Sequence, residues 1–295
     1  MILAAIDIGS NAARLLITET SVYTDGTVDY TKLNLLRIPL RLGIDVFEKG
    51  YITPERRDKL VETMKVYKHL MSVYNVASYK ACATSAMRDA ANGKEILQQI
   101  KKETGLDIQV ITGLEEANIV YETHIAENLA PNKSYLYVDV GGGSTEVTLF
   151  ADNHTIFKES FNIGTIRLLH RSVTDEKWDQ MKWYIKTHTK EHQPVEVIGS
   201  GGNINKIFSI SKRKEGKPLS LELLKDYHKE LGSSTLEERM HRYNLRIDRA
   251  DVIVPALQIY ISVMRWSGAE EIYVPKIGLA DGLIKMLYKE MTSGI

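Results

Sequence analysis

The sequence predicts an α/β protein composed of two domains of similar topology. Apolar β-type runs alternate with segments of helical periodicity along the 295 residues, a pattern typical of α/β folds. A short apolar strand that ends in an aspartate and enters a glycine turn occurs twice, at 7–10 and at 139–142. The two copies lie 132 positions apart, close to the length of one medium domain. We therefore expect two related halves that bind ligands at the carboxyl ends of their strands.

The first half is expected to begin with three strands and to continue with alternating helices and strands. Thr53-Pro54-Glu55 predicts a helix start, because threonine is a good N-cap and proline suits the first helical position. The turn-forming run 128–134 is the predicted linker between the halves. The predicted strands are 2–8, 14–18, about 28–42, 79–83 and 108–111, and the other predicted helices are 87–103 and 115–128.

The second half repeats the opening arrangement of strand, glycine turn and strand. Thr235 and Glu238 have the spacing of a capping box, which predicts a helix start between them. The predicted strands are 135–138, 147–150, 156–157 and 195–198, and the predicted helices are 175–190 and others that begin near Asn203, Leu221 and Asp251.

Composition excludes several classes of protein. The chain has 38 basic and 38 acidic side chains, and this balance disfavours non-specific binding to nucleic acid. No apolar run approaches the ~20 residues that cross a bilayer, and the N-terminus lacks the features of a signal peptide. The single cysteine, Cys82, rules out an intramolecular disulfide and is expected in the core. We therefore expect a cytoplasmic protein without nucleic-acid or membrane partners.

Three glycine turns carry the residue types that bind anions. Glycine lets the backbone approach a ligand with its N–H groups exposed, and serine and threonine hydroxyls add donors. The aspartate that opens two of these turns is a poor strand residue, but it is suited to hold Mg²⁺ beside a phosphate. Each turn alone is equally well explained as a connector, whereas the three together favour phosphate binding. They contain Asp7, Gly9, Ser10 and Asn11; Asp139, Gly141, Gly142, Gly143, Ser144 and Thr145; and Gly199, Ser200, Gly201 and Gly202.

Four segments resemble the motif series of the exopolyphosphatase / guanosine pentaphosphate phosphohydrolase family. These segments are 7–15, 83–90, 113–117 and 139–146. Members of that family belong to the actin-like superfamily and have two ribonuclease H-like domains with a phosphate-binding cleft between them. The resemblance implies the same α/β fold here, with domains at 1–128 and 129–278 and a final helix, 279–295, that packs back on the first domain. Further counterparts of the family pattern occur at 41–43, 164–168, 199–202 and 278–279.

The resemblance also implies roles for individual side chains. Glu115 is the expected general base, with Glu116 as the second member of the pair, and Glu146 is expected to orient water or to hold the metal. The alternative for the glutamate pair is stabilisation of a helix N-terminus. The other expected site residues are Asp7 and Asp139 as ligands of Mg²⁺ or another divalent cation, and Arg14, Arg41, Ser85 and Arg88, with the glycine turns, as phosphate ligands.

The implied activity is Mg²⁺-dependent hydrolysis of the terminal phosphate of inorganic polyphosphate. Guanosine pentaphosphate is the main alternative substrate, because no residues identify or exclude a guanine pocket. A non-catalytic sensor of nucleotides or phosphate is a more distant alternative, although a sensor would not need the two glutamates. The sequence leaves open whether the chain forms a homodimer.

Two departures from the family pattern are visible. The chain stops at Ile295, without the extra helical region of longer members, so it resembles their short two-domain form. Ala280-Asp281 stands where members commonly have a basic–acidic pair, which leaves the role of this segment open.

Two other features are expected to be structural. His188 and His192 have a spacing that suits zinc on a helix, but no third ligand is evident and we expect a solvated face. The basic run 212–217 is expected to be a solvated turn rather than a guide for a polyanion.

Overall fold

The computed structural model describes residues 1–119, 133–152, 154–275 and 277–293. The chain divides into two compact units. Unit 1 consists of Met1–Thr123 and Gly278–Ile295, and unit 2 consists of His124–Ile277. The predicted domain boundary at 128/129 lies outside the described residues. Among the described residues, no helix is both long and apolar enough to cross a membrane.

Unit 1 contains a five-stranded mixed sheet with the strand order β3-β2-β1-β4-β5. The first three strands are antiparallel, and β4 and β5 continue the sheet in parallel with β1. The strands are β1 (Ile2–Ile8), β2 (Ala13–Val22), β3 (Val28–Ile38), β4 (Ser78–Ala83) and β5 (Gln109–Val110).

Helices of unit 1 cover one face of this sheet with apolar side chains such as Leu60, Met64 and Tyr67. Alternation along β1 places Ile6 and Ile8 in this core, and it places Asp7 on the opposite face. The helices are α1 (Leu42–Lys49), α2 (Pro54–Val73), α3 (Ser85–Asp89), α4 (Gly93–Thr104) and α5, described over 113–119.

Two predicted elements of unit 1 were wrong in extent. The strand predicted to reach residue 42 ends at Ile38, because the Arg41 and Gly43 amides donate to carbonyls of the first glycine turn instead of to a strand. The helix predicted over 87–103 is two helices, α3 and α4. The Asn92 side chain interrupts it by bonding both the N–H and the carbonyl of Ile52, at 3.0 and 2.8 Å.

Unit 2 contains a six-stranded sheet with the order β10-β11-β9-β6-β7-β8. A central strand, β6, again pairs with an antiparallel hairpin on one side and a parallel strand, β9, on the other. The two units therefore share a core topology. The strands are β6 (Ser134–Val140), β7 (Thr145–Ala151), β8 (His154–Phe161), β9 (Val195–Ser200), β10 (Leu219–Ser220) and β11 (Glu271–Tyr273).

The core of unit 2 forms around α12, whose residues Leu257, Tyr260 and Val263 are almost completely buried. The predicted capping box at Thr235 and Glu238 is confirmed at the start of α10. The helices are α6 (Thr165–Leu169), α7 (Asp175–Thr189), α8 (Gly202–Ser211), α9 (Leu221–Ser233), α10 (Leu236–Tyr243), α11 (Ile247–Ala250) and α12 (Ile253–Ser267), with a 3-10 turn at Lys190–His192.

The last helix, α13 (Leu279–Thr292), belongs to unit 1. Leu283 and Ile284 pack on Leu3 and Ala5 of β1, on the face of the sheet that also carries Asp7. Asp281 stabilises the N-terminus of this helix, because its carboxylate accepts the Gly278 N–H at 2.9 Å. Its carboxylate also lies 2.6 Å from the Lys32 ammonium, so the acidic member of the Ala280-Asp281 segment has a structural role here.

Candidate active site

The first predicted turn is part of a charged row that crosses the sheet of unit 1. Asp7 lies directly opposite Cys82 on β4 and Arg14 on β2, and Arg14 lies opposite Arg37 on β3. Residues opposite each other share a face of the sheet. The Arg14 guanidinium donates to the buried Asp7 carboxylate at 2.5 Å. The row therefore contains two guanidinium groups and one carboxylate, which is a net positive charge.

Hydrogen bonds bring two further predicted residues to this turn. The turn is tight, because the Gly9 N–H donates to the Ala12 carbonyl at 3.0 Å. The Arg41 N–H donates to the Asn11 carbonyl at 2.9 Å, and Arg41 adopts a left-handed conformation with φ of 55°. The Ser10 and Ser85 hydroxyls, both buried, lie 2.8 Å apart. Residues distant in the sequence therefore converge on one turn.

Arg88 makes its side-chain contacts away from the first glycine turn. Its guanidinium donates to the Ile111 carbonyl at 2.9 Å and lies 3.6 Å from the Asp89 carboxylate. These bonds connect α3 to the segment that leads into α5. A phosphate-binding role for Arg88 stays a prediction.

The two glutamates of the predicted base pair have different surroundings. Glu115 is exposed, and its carboxylate accepts the Thr112 N–H at 2.6 Å while the Thr112 hydroxyl accepts the Glu115 N–H at 3.2 Å. This reciprocal arrangement is a capping box, and the bond from the Thr112 backbone lowers the pKa of Glu115. Glu116 is half-buried. The pKa of the Cys82 thiol is raised by the burial of Cys82, then by the charge of Asp7, and then by the charge of Glu116. Glu116 is therefore the member of the pair nearer the Asp7 row.

The second aspartate lies in an equivalent row of opposite sign in unit 2. Asp139 is opposite Ser200 on β9 and Glu146 on β7, and Glu146 is opposite Ser160 on β8. Glu146 is 3% exposed, which excludes the alternative that it is simply an exposed strand residue. The Ser160 hydroxyl donates to the Glu146 carboxylate at 2.9 Å. Two carboxylates thus stand side by side where unit 1 has an ion pair.

The hydroxyl of Tyr260 lies close to this acidic pair. The Tyr260 hydroxyl donates to the Ser200 carbonyl, and burial raises the pKa of Tyr260, with the charges of Asp139 and Glu146 acting in the same direction. Like charges opposite each other on adjacent strands destabilise a sheet, so a bound cation would relieve this arrangement. Within the described part of the chain, no three acidic, histidine or cysteine side chains form a metal cluster. Mg²⁺ needs only one or two carboxylates when phosphate oxygens complete its shell, so Asp139 and Glu146 fit it.

The second glycine turn is held by the start of α6. The N–H groups of Thr165 and Ile166 donate to the Gly141 and Gly142 carbonyls at 3.0 and 2.8 Å. The Arg167 guanidinium donates to the Gly143 carbonyl at 2.7 Å. These bonds fix the backbone of the turn against the start of α6. A Cβ on Gly164 would lie 2.5 Å from the Gly142 carbonyl oxygen, so this close packing requires glycine.

The third turn approaches the acidic row closely. Gly201 has φ of 110°, and a Cβ on it would lie 3.0 Å from the Asp139 carboxylate. A Cβ on Gly202 would lie 2.6 Å from the guanidinium of Arg249 on α11. Arg249 therefore covers the N-terminus of α8, a position that otherwise favours an anion. Sequence patterns indicate neither Arg37 nor Arg249, and Arg37 is recognisable only from the register of β3 on β2.

The features that we expected to be structural have ordinary surroundings. Cys82 is buried, and burial raises its pKa well above the usual value, which does not suit a nucleophile. The His188 ring stacks on Tyr184 with centroids 4.2 Å apart. Its Nδ1 lies 2.8 Å from the Tyr184 carbonyl.

Comparisons with known proteins identify relatives of this chain. Residues 24–291 match the Ppx/GppA phosphatase family. The crystal structure of an Aquifex aeolicus Ppx/GppA family member is 27% identical, covers 99% of both chains and superposes with a TM-score of 0.76. The structure of an exopolyphosphatase from Cytophaga hutchinsonii is 26% identical, with coverage of 100% of this chain and 99% of that one and a TM-score of 0.82.

Curated relatives match part of their own length. Exopolyphosphatase 1 of Mycobacterium tuberculosis is 30% identical over 183 residues, which are 60% of this chain and 50% of that protein. A bifunctional 3-dehydroquinate synthase/phosphatase of Fusobacterium nucleatum is 27% identical over 228 residues, or 72% of this chain and 34% of that protein. This chain thus spans about half or less of these relatives. The expected family and its α/β fold are confirmed: the chain belongs to the Ppx/GppA phosphatase family.

Proposed function

We propose that this chain is an exopolyphosphatase that removes the terminal phosphate of inorganic polyphosphate by attack of water. The observation that carries the proposal is the pair of rows at strand ends: Asp7 with Arg14 and Arg37, and Asp139 with Glu146. One row suits phosphate oxygens and the other suits a cation bound to phosphate. The exopolyphosphatases among the relatives support the same substrate.

Unit 1 contributes phosphate binding in this proposal. Guanidinium groups bind phosphate oxygens in a bidentate way and remain charged at any working pH. Arg14 is bonded to Asp7 and its side chain is one-third exposed, so the side chain is accessible to a ligand. We therefore assign Asp7 to the positioning of Arg14, in place of the metal-binding role that the resemblance implied.

Unit 2 contributes the cation site. Asp139 and Glu146 would hold Mg²⁺ or another divalent cation, together with phosphate oxygens of the substrate. When bound, the ion would neutralise developing negative charge on the phosphate. The Ser160 hydroxyl keeps Glu146 oriented. The close approach of Gly201 leaves room beside the Asp139 carboxylate that a larger residue would fill.

The general base is proposed to be Glu116 rather than the expected Glu115. A base must reach a water molecule next to the phosphate, and the Glu115 carboxylate is already bonded to its own helix terminus. Glu116→Gln should lower turnover by at least ~10²-fold, as expected when a general base is removed. Glu115→Gln should leave turnover within about twofold, because glutamine also completes a capping box.

Glu238→Gln is the matched control for these two variants. Glu238 forms the same capping box with Thr235, with bonds of 2.6 and 3.2 Å, and we assign it no role in the reaction. If Glu115→Gln abolished turnover while Glu238→Gln did not, Glu115 would be the base and our assignment would be wrong.

The deciding experiment measures phosphate release with Mg²⁺ from long-chain polyphosphate, tripolyphosphate and guanosine pentaphosphate in parallel. Faster release from either polyphosphate than from the nucleotide is the expected result. Faster release from the nucleotide would make guanosine pentaphosphate the substrate. Binding without release from any of the three would identify a sensor. A chelator should abolish phosphate release from every substrate, because the proposed reaction requires a divalent cation.

A cytoplasmic location is part of the proposal, because a chain whose one cysteine is a buried free thiol suits a reducing compartment. Sedimentation of the purified protein would establish whether it forms a homodimer.

A further inference from the structure

A basic groove lies on the surface of unit 2, between α7 and α12. It is lined by Lys182, Lys186, Ser262, Arg265 and Trp266 and has a volume of about 380 Å³. The two helices pack against each other, with the Trp178 and Trp266 rings edge to face at a centroid distance of 5.7 Å. None of the lining residues belongs to the charged rows or glycine turns described above.

The cations of this groove are not neutralised. Lys182, Lys186 and Arg265 are exposed, and no carboxylate of the described residues lies within ion-pair distance of any of them. Lys182 and Lys186 are four residues apart on α7, so they share a face of the helix and repel each other. Lys225 on α9, by contrast, lies 2.6 Å from the Glu222 carboxylate. The groove therefore concentrates positive charge that a polyanion would neutralise.

We propose that the groove binds an internal segment of the polyphosphate chain whose end is hydrolysed. This inference rests on the proposed function. The two lysines are separated by about 6 Å along the helix axis, and Arg265 extends the charge to the second helix, so the cations suit a repeating anion better than a single phosphate. Lysine ammonium groups act as point charges that tolerate a flexible polymer, and the Ser262 hydroxyl adds a donor.

The position of the groove predicts a dependence on chain length. Tyr260 of α12 bonds the third glycine turn, whereas Arg265 lies five residues further along the same helix on its exposed side. Arg265 is also turned by about 140° from Tyr260 around the helix, so a polymer that occupies both places must pass around α12 and must be long. Binding at the second place then becomes intramolecular and raises the overall affinity. Short chains cannot occupy both places, so the groove does not raise their affinity.

The kinetic test reverses the charge of the groove with K182E/K186E. The matched control is K59E/K68E, because Lys59 and Lys68 are two exposed lysines on a single helix, α2. For long-chain polyphosphate, KM should rise about tenfold in K182E/K186E and should stay unchanged in the control. For tripolyphosphate, both variants should match the wild type. An unchanged KM for long chains, or equal losses in both variants, would overturn the inference.

A binding test separates this inference from the proposed activity. All three tryptophans of the chain, Trp178, Trp183 and Trp266, lie on α7 and α12, so their fluorescence reports on this groove. In an E146Q background, long-chain polyphosphate should change the fluorescence, and K182E/K186E should abolish that change while K59E/K68E preserves it. This result would support the groove even if no polyphosphate were hydrolysed. A fluorescence change saturated by GTP and not by polyphosphate would overturn the assignment of the ligand.

Discussion

The two units use the same strand arrangement to build rows of opposite charge. In each, an aspartate is the penultimate residue of the central strand, and the residue seven positions later lies opposite it across a hairpin. In unit 1 that residue is Arg14, which forms an ion pair with Asp7. In unit 2 it is Glu146, which leaves two adjacent carboxylates. The two rows thus differ in charge, with Arg14 and Arg37 in unit 1 at the positions of Glu146 and Ser160 in unit 2, while the strand arrangement is the same.

The largest expected effect comes from removing one charge of the acidic row. Glu146→Gln should lower turnover by about 10³-fold, because a preorganised charge in the site is lost, while the fold is retained. Mg²⁺ should raise the melting temperature of the wild type and not that of the variant. Phosphate release and thermal shift would check both results. Full activity in the variant would show that the acidic row is not the cation site.

A smaller effect is expected from breaking the ion pair of unit 1. Arg14→Met leaves the Asp7 carboxylate buried without its partner and should reduce the free energy of unfolding by about 2–3 kcal/mol, below the value for fully buried pairs because Arg14 is partly exposed. Urea denaturation would measure it. The double variant D7N/R14M should recover part of the loss. If the single and double variants were equally unstable, the ion pair would not be the cause.

Packing of the second glycine turn should contribute less. Gly164→Ala forces a Cβ against the Gly142 carbonyl and should cost about 1–3 kcal/mol of unfolding free energy through overpacking. Gly232→Ala on α9 is the control, because nothing lies within 4 Å of its Cβ position. It should be neutral or slightly stabilising in a helix. Thermal denaturation of both variants compares them, and equal melting temperatures would contradict the close packing.

The smallest effect is expected from the two capping boxes. Glu115→Ala and Glu238→Ala should each lower the melting temperature by only about 1–2 °C. The bonds from the threonine backbones lower the pKa of both glutamates. Their contribution is therefore complete above the ordinary glutamate pKa and is lost as pH falls through the lowered value. The melting temperatures of each variant and the wild type should therefore differ at neutral pH and become equal at acidic pH.

Much of the fold could be predicted from local sequence signals. The strand 2–8 and the helix start after Thr53 have the predicted positions, because an apolar run and a proline at the first helical position act over a few residues. The Thr53 hydroxyl donates to the Asp45 carboxylate and does not cap the helix as expected. The errors occurred where distant contacts decide the outcome. The Asn92 amide that separates α3 from α4 bonds Ile52, 40 positions away, and no local pattern near residue 92 contains that information.

The candidate site divides in the same way. By itself, the sequence determined the glycine turns and the acidic residues beside them, because tight turns and strand ends require particular residue types at fixed spacing. Only the tertiary structure decided which charges are neighbours. Strand register places Arg37 beside Arg14 and Glu146 beside Asp139, and helix packing places Arg249 over Gly202. Electrostatic interaction depends on distance in space, so the equivalent aspartate lies in an ion pair in unit 1 and beside a second carboxylate in unit 2.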